Sequence, residues 1–170
     1  VAYYDADAGA LRYATNALGP WTCLTIDDRG DAGYSPSLVL DDQERAHVAY
    51  LAAAEQAQLK YATNAAGTWE VSRVVAAENP GFYSNLALDA DGLPRITYTD
   101  TEADTLRLAT FNGERWRTEL IDADQSPGAY NRLLYDDHGG IHVLYRADAT
   151  GHLRHAYRED PSAMWRIETV

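Results

Sequence analysis

The chain has 170 residues, of which 26 are Asp or Glu and 14 are Lys or Arg, so its formal net charge at pH 7 is −12. Because phosphate repels that charge, the composition argues against a nucleic-acid backbone as a partner. No apolar run approaches the roughly 20 residues of a membrane-spanning helix, and the single Cys23 cannot form an internal disulfide.

In chain order, the predicted elements are short β-strands separated by turns. The chain opens with a strand at residues 1–5, rich in tyrosine. One complete later unit shows the pattern. A strand is predicted at residues 38–41, a tight turn at 42–44, and three further strands at 46–51, 59–64 and 69–75. No window of 11 residues carries a helical stripe of apolar side chains. The sequence therefore predicts an all-β protein.

The same unit is repeated along the whole chain. Its clearest marker is a tryptophan at steps of 48, 47 and 49 residues, at Trp21, Trp69, Trp116 and Trp165. Other positions repeat with it: a leucine upstream, a tyrosine further upstream and a glycine downstream, at Leu11, Leu59, Leu106 and Leu153, at Tyr3, Tyr50, Tyr98 and Tyr145, and at Gly33, Gly81 and Gly128. We expect the tryptophans to anchor one unit on the next and the repeated tyrosines to be structural, because every unit carries them.

Four antiparallel strands in about 48 residues, repeated, are typical of a β-propeller blade. We name the strands a to d from the propeller axis outward. The chain holds fifteen of them, three full blades and a first blade that lacks its innermost strand, with blades predicted at residues 1–27, 34–75, 82–122 and 129–170. Two interpretations follow: the chain is a segment of a larger propeller, or copies of it associate to complete one.

The repeated motif resembles repeats of bacterial extracellular β-propeller proteins of the sialidase-like and lectin-like kind. It consists of an apolar strand closed by aspartate, an Ile/Val-x-Tyr strand, Leu-Lys/Arg-Tyr-Ala and then Trp, and it covers the whole chain. The resemblance implies a secreted or cell-surface protein and a glycan or protein ligand. The aspartate box of true sialidases, Ser-x-Asp-x-Gly-x-Thr-Trp, is absent from the sequence. The resemblance therefore favours a binding module over an enzyme.

One end of each blade carries the d-to-a and b-to-c loops, and the candidate ligand-binding residues are the positions at this end where the repeats differ in sequence. At the entrance to strand a they are Ser37, Asn85 and Arg132, and after the strand-b tyrosine they are Tyr4, Asp5, Asp100 and Arg146. Two tyrosines of the d-to-a loops, Tyr83 and Tyr130, complete the set. Each has a structural alternative. The arginines could pair with neighbouring carboxylates, the aspartates could cap loop amides, and the tyrosines, with Tyr34, could seal the core instead of stacking on a sugar ring.

The histidines do not have the spacing of a metal site. His47 and His142 occupy the same repeat position two blades apart, too far to share an ion, and we expect each to bond the turn aspartate, Asp41 or Asp136. We predict no metal, no cofactor and no catalytic residue. Three functions remain open: a non-catalytic carbohydrate-binding module, a sialidase-like glycoside hydrolase, which would need an arginine cluster and a nucleophile with its acid, and a purely structural propeller.

Overall fold

The computed structural model describes residues 1–53, 56–75, 80 and 83–170. Over these residues the chain consists of strands, turns and loops, with no helix. It divides into two compact units, residues 1–82 and 83–170. The predicted Gly81 and the predicted start of the third blade at residue 82 lie outside the described residues.

Within the described residues, fifteen strands form four antiparallel sheets, in each of which the strands are paired in chain order. Sheets 1 and 2 lie in the first unit and sheets 3 and 4 in the second. Sheet 1 contains β1 (Ala2–Asp5), β2 (Ala10–Thr15) and β3 (Thr22–Asp27); sheet 2 contains β4 (Ala32–Leu40), β5 (Ala46–Ala52), β6 (Gln58–Thr63) and β7 (Glu70–Arg73). Sheet 3 contains β8 (Asn85–Leu88), β9 (Pro94–Asp100), β10 (Thr105–Phe111) and β11 (Trp116–Asp122); sheet 4 contains β12 (Pro127–Tyr135), β13 (Ile141–Ala147), β14 (His152–Arg158) and β15 (Arg166–Thr169). The prediction of four-stranded propeller blades, one of them lacking its first strand, is confirmed.

The turn between the first two strands of each full sheet is organised by one aspartate. Oδ1 of Asp41, Asp89 or Asp136 accepts the backbone N–H of the residues two and four positions later, at 2.7–3.0 Å. The other carboxylate oxygen binds a basic side chain on the following strand. His47 Nε2 lies 3.3 Å from Asp41 and His142 Nε2 lies 3.2 Å from Asp136, as predicted. These histidines therefore hold turns in place.

In the first unit, the junction between sheets 1 and 2 is an apolar cluster. Leu11, Val48 and Tyr50 are all 0% exposed, and Trp69 packs against them with its ring 5.1 Å from that of Tyr13. Gly33 allows the backbones to meet: its φ is +116°, and a Cβ there would lie 2.8 Å from the Cα of Leu11. The repeated glycine is required by close approach as well as by conformation.

The junction between sheets 3 and 4 in the second unit repeats this plan. Leu106, Leu108, Val143 and Tyr145 are 0–1% exposed, with Trp165 packed at the border of the cluster. Gly128 has a φ of +115°, and a Cβ there would lie 2.7 Å from Thr99 Oγ1. The same residue types in the same places thus build both junctions.

Both junctions also contain a buried aspartate at the end of the outermost strand. The Tyr50 hydroxyl and the Lys60 ammonium donate to Oδ2 of Asp27 at 2.7 and 2.8 Å. In the second unit the Tyr145 hydroxyl and the guanidinium of Arg154, at 2.7 Å, donate to Oδ2 of Asp122. Each aspartate neutralises a cation of the next sheet and satisfies the hydroxyl of a fully buried tyrosine.

Two repeated aromatic residues at sheet 1 are more exposed than their counterparts in the other sheets. Tyr3 is 36% exposed and Trp21 is 60% exposed. Trp69 and Trp165 are half-buried because each packs on the sheet that precedes its own, and no sheet precedes sheet 1 among the described residues. The prediction that every tryptophan anchors two sheets is therefore wrong for Trp21 in this chain.

Asp27 makes the stability of the first unit dependent on pH. Burial opposes its ionisation, but hydrogen bonds from Lys60, Tyr50 and the backbone of Arg29 outweigh that effect and hold the pKa of the carboxyl below its ordinary value. A lowered folded-state pKa contributes stability that is complete above the unfolded-state pKa, about 3.9, and is lost as the pH falls through the folded-state value. Asp27→Asn should flatten the acid side of a plot of unfolding free energy against pH. Asp28→Asn, at the exposed neighbour, is the control, and parallel curves for wild type and Asp27→Asn would contradict this role.

None of the described residues belongs to a helix that is long and apolar enough to cross a lipid bilayer.

Candidate functional site

Two tyrosines, an arginine and an aspartate form an exposed cluster at one end of sheets 3 and 4, which we call the tyrosine cluster (Tyr83, Tyr130, Arg146 and Asp148). The rings of Tyr83 and Tyr130 lie 4.7 Å apart between centroids, tilted by 46°. The guanidinium carbon of Arg146 lies 5.2 Å from the centroid of Tyr130. Tyr130 is 65% exposed and Tyr83 is 39% exposed. Aromatic faces, a cation and a carboxylate are thus presented together to solvent.

The backbone of Tyr130 is in an unfavourable conformation. Its φ is +53°, in the left-handed region that bulky L-residues rarely adopt. The bulge that imposes this conformation is part of the repeat, because Ser35 has a φ of +46° at the equivalent position of sheet 2. A small or polar residue tolerates such a position best, and sheet 4 instead has a large ring there that is exposed. Because the residue is 65% exposed, little burial offsets this strain.

Polar contacts fix the orientation of the cluster. Arg146 donates to Asp148 Oδ1 from Nε at 2.8 Å and from Nη2 at 2.6 Å, and these bonds raise the pKa of its guanidinium. A hydrogen bond with Tyr130 is the main reason that the pKa of the Tyr83 hydroxyl is raised. A phenol hydroxyl both donates and accepts hydrogen bonds, so the cluster offers hydrogen-bonding groups beside its aromatic faces.

The first unit carries a different tyrosine pair, which is satisfied internally. Tyr4 and Tyr34 stack with centroids 4.1 Å apart, and their hydroxyls donate to the two oxygens of Asp31 at 2.6 and 2.8 Å. The bonds to Asp31 and Tyr34 raise the pKa of Tyr4, and those from both tyrosines lower the pKa of Asp31. The predicted Tyr4 is half-buried, with its hydroxyl already bonded.

The two predicted aspartates cap turns. Oδ1 of Asp5 accepts the N–H groups of residues 7 and 8 at 3.2 Å, and its other oxygen pairs with Arg12 at 3.0 Å. Asp100 is 5% exposed, and its Oδ1 accepts the N–H groups of residues 102 and 103 at 3.1 and 3.2 Å. Each carboxylate stabilises the loop between the second and third strands of a blade, the alternative that the sequence left open.

The three predicted residues at the start of the innermost strands are spread over different environments. Asn85 is buried, and its Oδ1 accepts the N–H of Leu133 at 2.8 Å, a bond between sheets 3 and 4. Ser37 is half-buried in β4, and Arg132 is exposed on β12. Of the nine predicted residues, the structure brings together Tyr83, Tyr130 and Arg146.

A concave region separate from the tyrosine cluster lies between sheets 3 and 4, near the outer strands. This cleft has a volume of about 310 Å³, and its lining consists of Arg95, Thr110, Arg117, Thr118, Glu119, Ile141, Arg158 and Pro161. Its central feature is a two-bond ion pair: Arg158 donates to Glu119 at 2.6 and 3.1 Å. The guanidinium carbon of Arg158 also lies 4.4 Å from the centroid of Trp165. Arg158 and Glu119 neutralise each other, and Arg95 pairs with Asp89 outside the cleft, so the lining itself carries more positive than negative charge.

Sequence reasoning missed Asp148, the cleft and the two junction aspartates. Asp27 and Asp122 could have been found, because both stand six residues after a repeated tryptophan. Asp148 carries no such signal, because the residues at the equivalent position in the loops of sheets 1 and 3, Ala6 and Thr101, are not acidic.

Among the residues that the structure describes, no group of three His, Cys, Asp or Glu side chains is arranged to hold a metal ion.

The sequence matches no protein-family model and no curated protein. Solved structures with a similar fold include a variant of Aleuria aurantia lectin in complex with Fucα1-6GlcNAc, at 16% identity, a TM-score of 0.63 and coverage of 95% of this chain and 52% of the lectin. AofleA from Arthrobotrys oligospora is 19% identical with a TM-score of 0.62, over 94% of this chain and 49% of that protein. A Hadza microbial sialidase is 15% identical with a TM-score of 0.62, over 84% of this chain and 38% of the sialidase.

These similarities establish the fold. The chain has the β-propeller fold, and its structural neighbours include a lectin and a sialidase. It spans about half or less of the length of each of these three proteins.

Proposed function

We propose that this protein is a non-catalytic carbohydrate-binding propeller module and that the tyrosine cluster is its sugar-binding surface. The observation that carries the proposal is Tyr130, an exposed ring in a strained backbone conformation, set beside Tyr83 and Arg146. Sugar rings have apolar faces that stack on aromatic rings, and their hydroxyls bind charged and phenolic groups at the edge. The cluster offers both kinds of contact.

Two features support this function over catalysis. Structural neighbours include a lectin in complex with a fucosylated disaccharide, so the propeller scaffold is compatible with sugar binding. The carboxylates that the sequence placed at this end of the blades, Asp5 and Asp100, are occupied in capping turns. No observation specifically favours hydrolysis.

Tyr130→Gly separates binding from folding. Glycine adopts a φ of +53° without strain, so the substitution should leave the free energy of unfolding unchanged or raise it by up to about 1 kcal/mol. Removing the ring should weaken binding by about tenfold or more, because stacked ring area is lost. The measurements are binding to a printed glycan array, titration of the strongest hits, and chemical denaturation.

Two further variants make the outcome decisive. Ser35→Gly, at the equivalent position of sheet 2, should have the same effect on stability and leave binding intact. Arg117→Ala removes an exposed side chain that lines the cleft between sheets 3 and 4. Retained binding by Tyr130→Gly with loss by Arg117→Ala would move the site to the cleft. Wild type that binds no glycan on the array would refute the proposed function.

A further inference from the structure

One face of sheet 3 is devoted to contacts with sheet 4. Leu133 N donates to Asn85 Oδ1 at 2.8 Å, Thr97 Oγ1 donates to Asn131 Oδ1 at 2.6 Å, and Arg158 donates to Glu119. Ala87 packs against the apolar cluster that these bonds surround. Successive side chains alternate between the two faces of a sheet, so this face is defined by its register.

Strand pairing identifies the same positions in sheet 4. Asn85 pairs with Thr97 in sheet 3 as Arg132 pairs with Leu144 in sheet 4. Leu108 pairs with Glu119 as His155 pairs with Glu168. The face equivalent to the docking face of sheet 3, which we call the open face of sheet 4, therefore carries Arg132, Leu134, Leu144, Leu153, His155 and Glu168.

This open face exposes apolar side chains that the equivalent faces bury. Leu106 of sheet 3 and Leu11 of sheet 1 are 0% exposed beneath the next sheet, whereas Leu153 is 47% exposed. Leu134, at the position of Ala87, is 51% exposed. A blade face with two exposed leucines resembles one half of a junction.

Sheet 1 exposes the matching half. Tyr3 pairs with Arg12 in the register in which Tyr145 pairs with Arg154, and Trp21 occupies the position of Trp165. Tyr145 is 1% exposed and Tyr3 is 36% exposed. We call the surface of Tyr3, Arg12 and Trp21 the open face of sheet 1.

We propose that the open face of sheet 4 docks on the open face of sheet 1 of a second copy of this chain. Leu153 and Glu168 on the open face of sheet 4 repeat Leu106 and Glu119 of the sheet 3 face. Tyr3, Arg12 and Trp21 repeat the residues with which sheet 4 meets sheet 3, so the contact would extend a junction already seen twice. Such a head-to-tail contact is heterologous, because different surfaces of the two copies meet. Arg146 stands at the register position of Thr99, at the edge of the open face of sheet 4, and the tyrosine cluster therefore borders the new junction.

The oligomeric state of the 170-residue chain tests the proposal directly. Light scattering coupled to size exclusion, over the micromolar range, should show concentration-dependent association that strengthens with salt, since each copy carries a net charge of −12. Leu134→Asp should lower the association constant at least about tenfold, because a charged side chain would replace an apolar one in the contact and would lose its hydration there. Trp21→Asp should do the same from the other face. Leu18→Asp, at a fully exposed leucine in the β2–β3 turn, is the matched control and should leave association unchanged.

Mixing the two variants distinguishes head-to-tail docking from other contacts. Leu134→Asp retains an intact sheet 1 face and Trp21→Asp an intact sheet 4 face, so an equimolar mixture should regain one good junction and form heterodimers. The proposal would be overturned if Trp21→Asp alone associated as strongly as wild type. It would also be overturned if Leu134→Asp and Trp21→Asp each associated as strongly as Leu18→Asp. A monomeric wild type throughout the micromolar range would overturn it as well.

Discussion

Asp122→Ala should destabilise the second unit by about 3–5 kcal/mol. The carboxylate is 4% exposed and accepts bonds from the Tyr145 hydroxyl and from Arg154, whose side chain is 12% exposed. Removing it leaves a nearly buried guanidinium without its nearest counter-charge and a buried hydroxyl without its acceptor, and breaking a buried ion pair from one side costs this much. Denaturant unfolding of wild type and variant measures the difference.

The neighbouring carboxylate provides the control for Asp122. Asp124 lies 3.5 Å from the same guanidinium but is 66% exposed, so Asp124→Ala should change stability by no more than about 0.5 kcal/mol. A second substitution removes the stranded charge: Asp122→Ala with Arg154→Met should recover most of the loss, since a buried pair can be replaced by apolar groups at little cost. Equal losses for the Asp122 and Asp124 variants would contradict a junction held by a buried charge.

The strands and turns could be predicted from the sequence because the sequence signals that specify them are local and occur in three or four repeats of the chain. An apolar run closed by Asp41, Asp89 or Asp136 specifies a strand and its turn, and the carboxylate then accepts the turn amides. What each repeated residue contacts depends on the neighbouring sheet. Trp69 and Trp21 have the same local sequence signal, yet only Trp69 is packed against a preceding sheet, so their burial could not be read from the repeat.

The candidate site was predicted less completely, for a related reason. Polar residues at the ends of strands can face a ligand or satisfy backbone groups, and composition does not distinguish these roles. Asp100 caps a turn and Asn85 bridges two sheets, whereas Tyr130 is exposed. The left-handed backbone that singles out Tyr130 is imposed by a bulge between β12 and β13, a property of the strand pairing. Ser35 shares that bulge but has no aromatic side chain.

Trp69→Ala should cost the first unit about 3–5 kcal/mol. Its ring packs on Tyr13 and on the cluster of Leu11, Val48 and Tyr50, so truncation leaves a cavity at the junction between sheets 1 and 2. The neighbours that would have to close this cavity belong to two different sheets held by the bonds to Asp27, which limits their collapse. Chemical denaturation at low protein concentration measures the loss, and a change within about 0.5 kcal/mol of wild type would contradict the junction.

Trp21→Ala is the control with the same residue and the same repeat position, and its effect should depend on protein concentration. In dilute solution the 60% exposed ring has little packing to lose, so the change in unfolding free energy should stay below about 1 kcal/mol. At concentrations where copies associate through the open faces, Trp21 enters a junction of the kind that holds Trp69, and association stabilises the folded chain by mass action. The cost of Trp21→Ala should then rise toward that of Trp69→Ala, whereas the cost of Trp69→Ala should be nearly constant. If the loss of unfolding free energy caused by Trp21→Ala does not change with protein concentration, Trp21 does not enter a junction between copies. Tryptophans would then anchor only the junctions within a single chain.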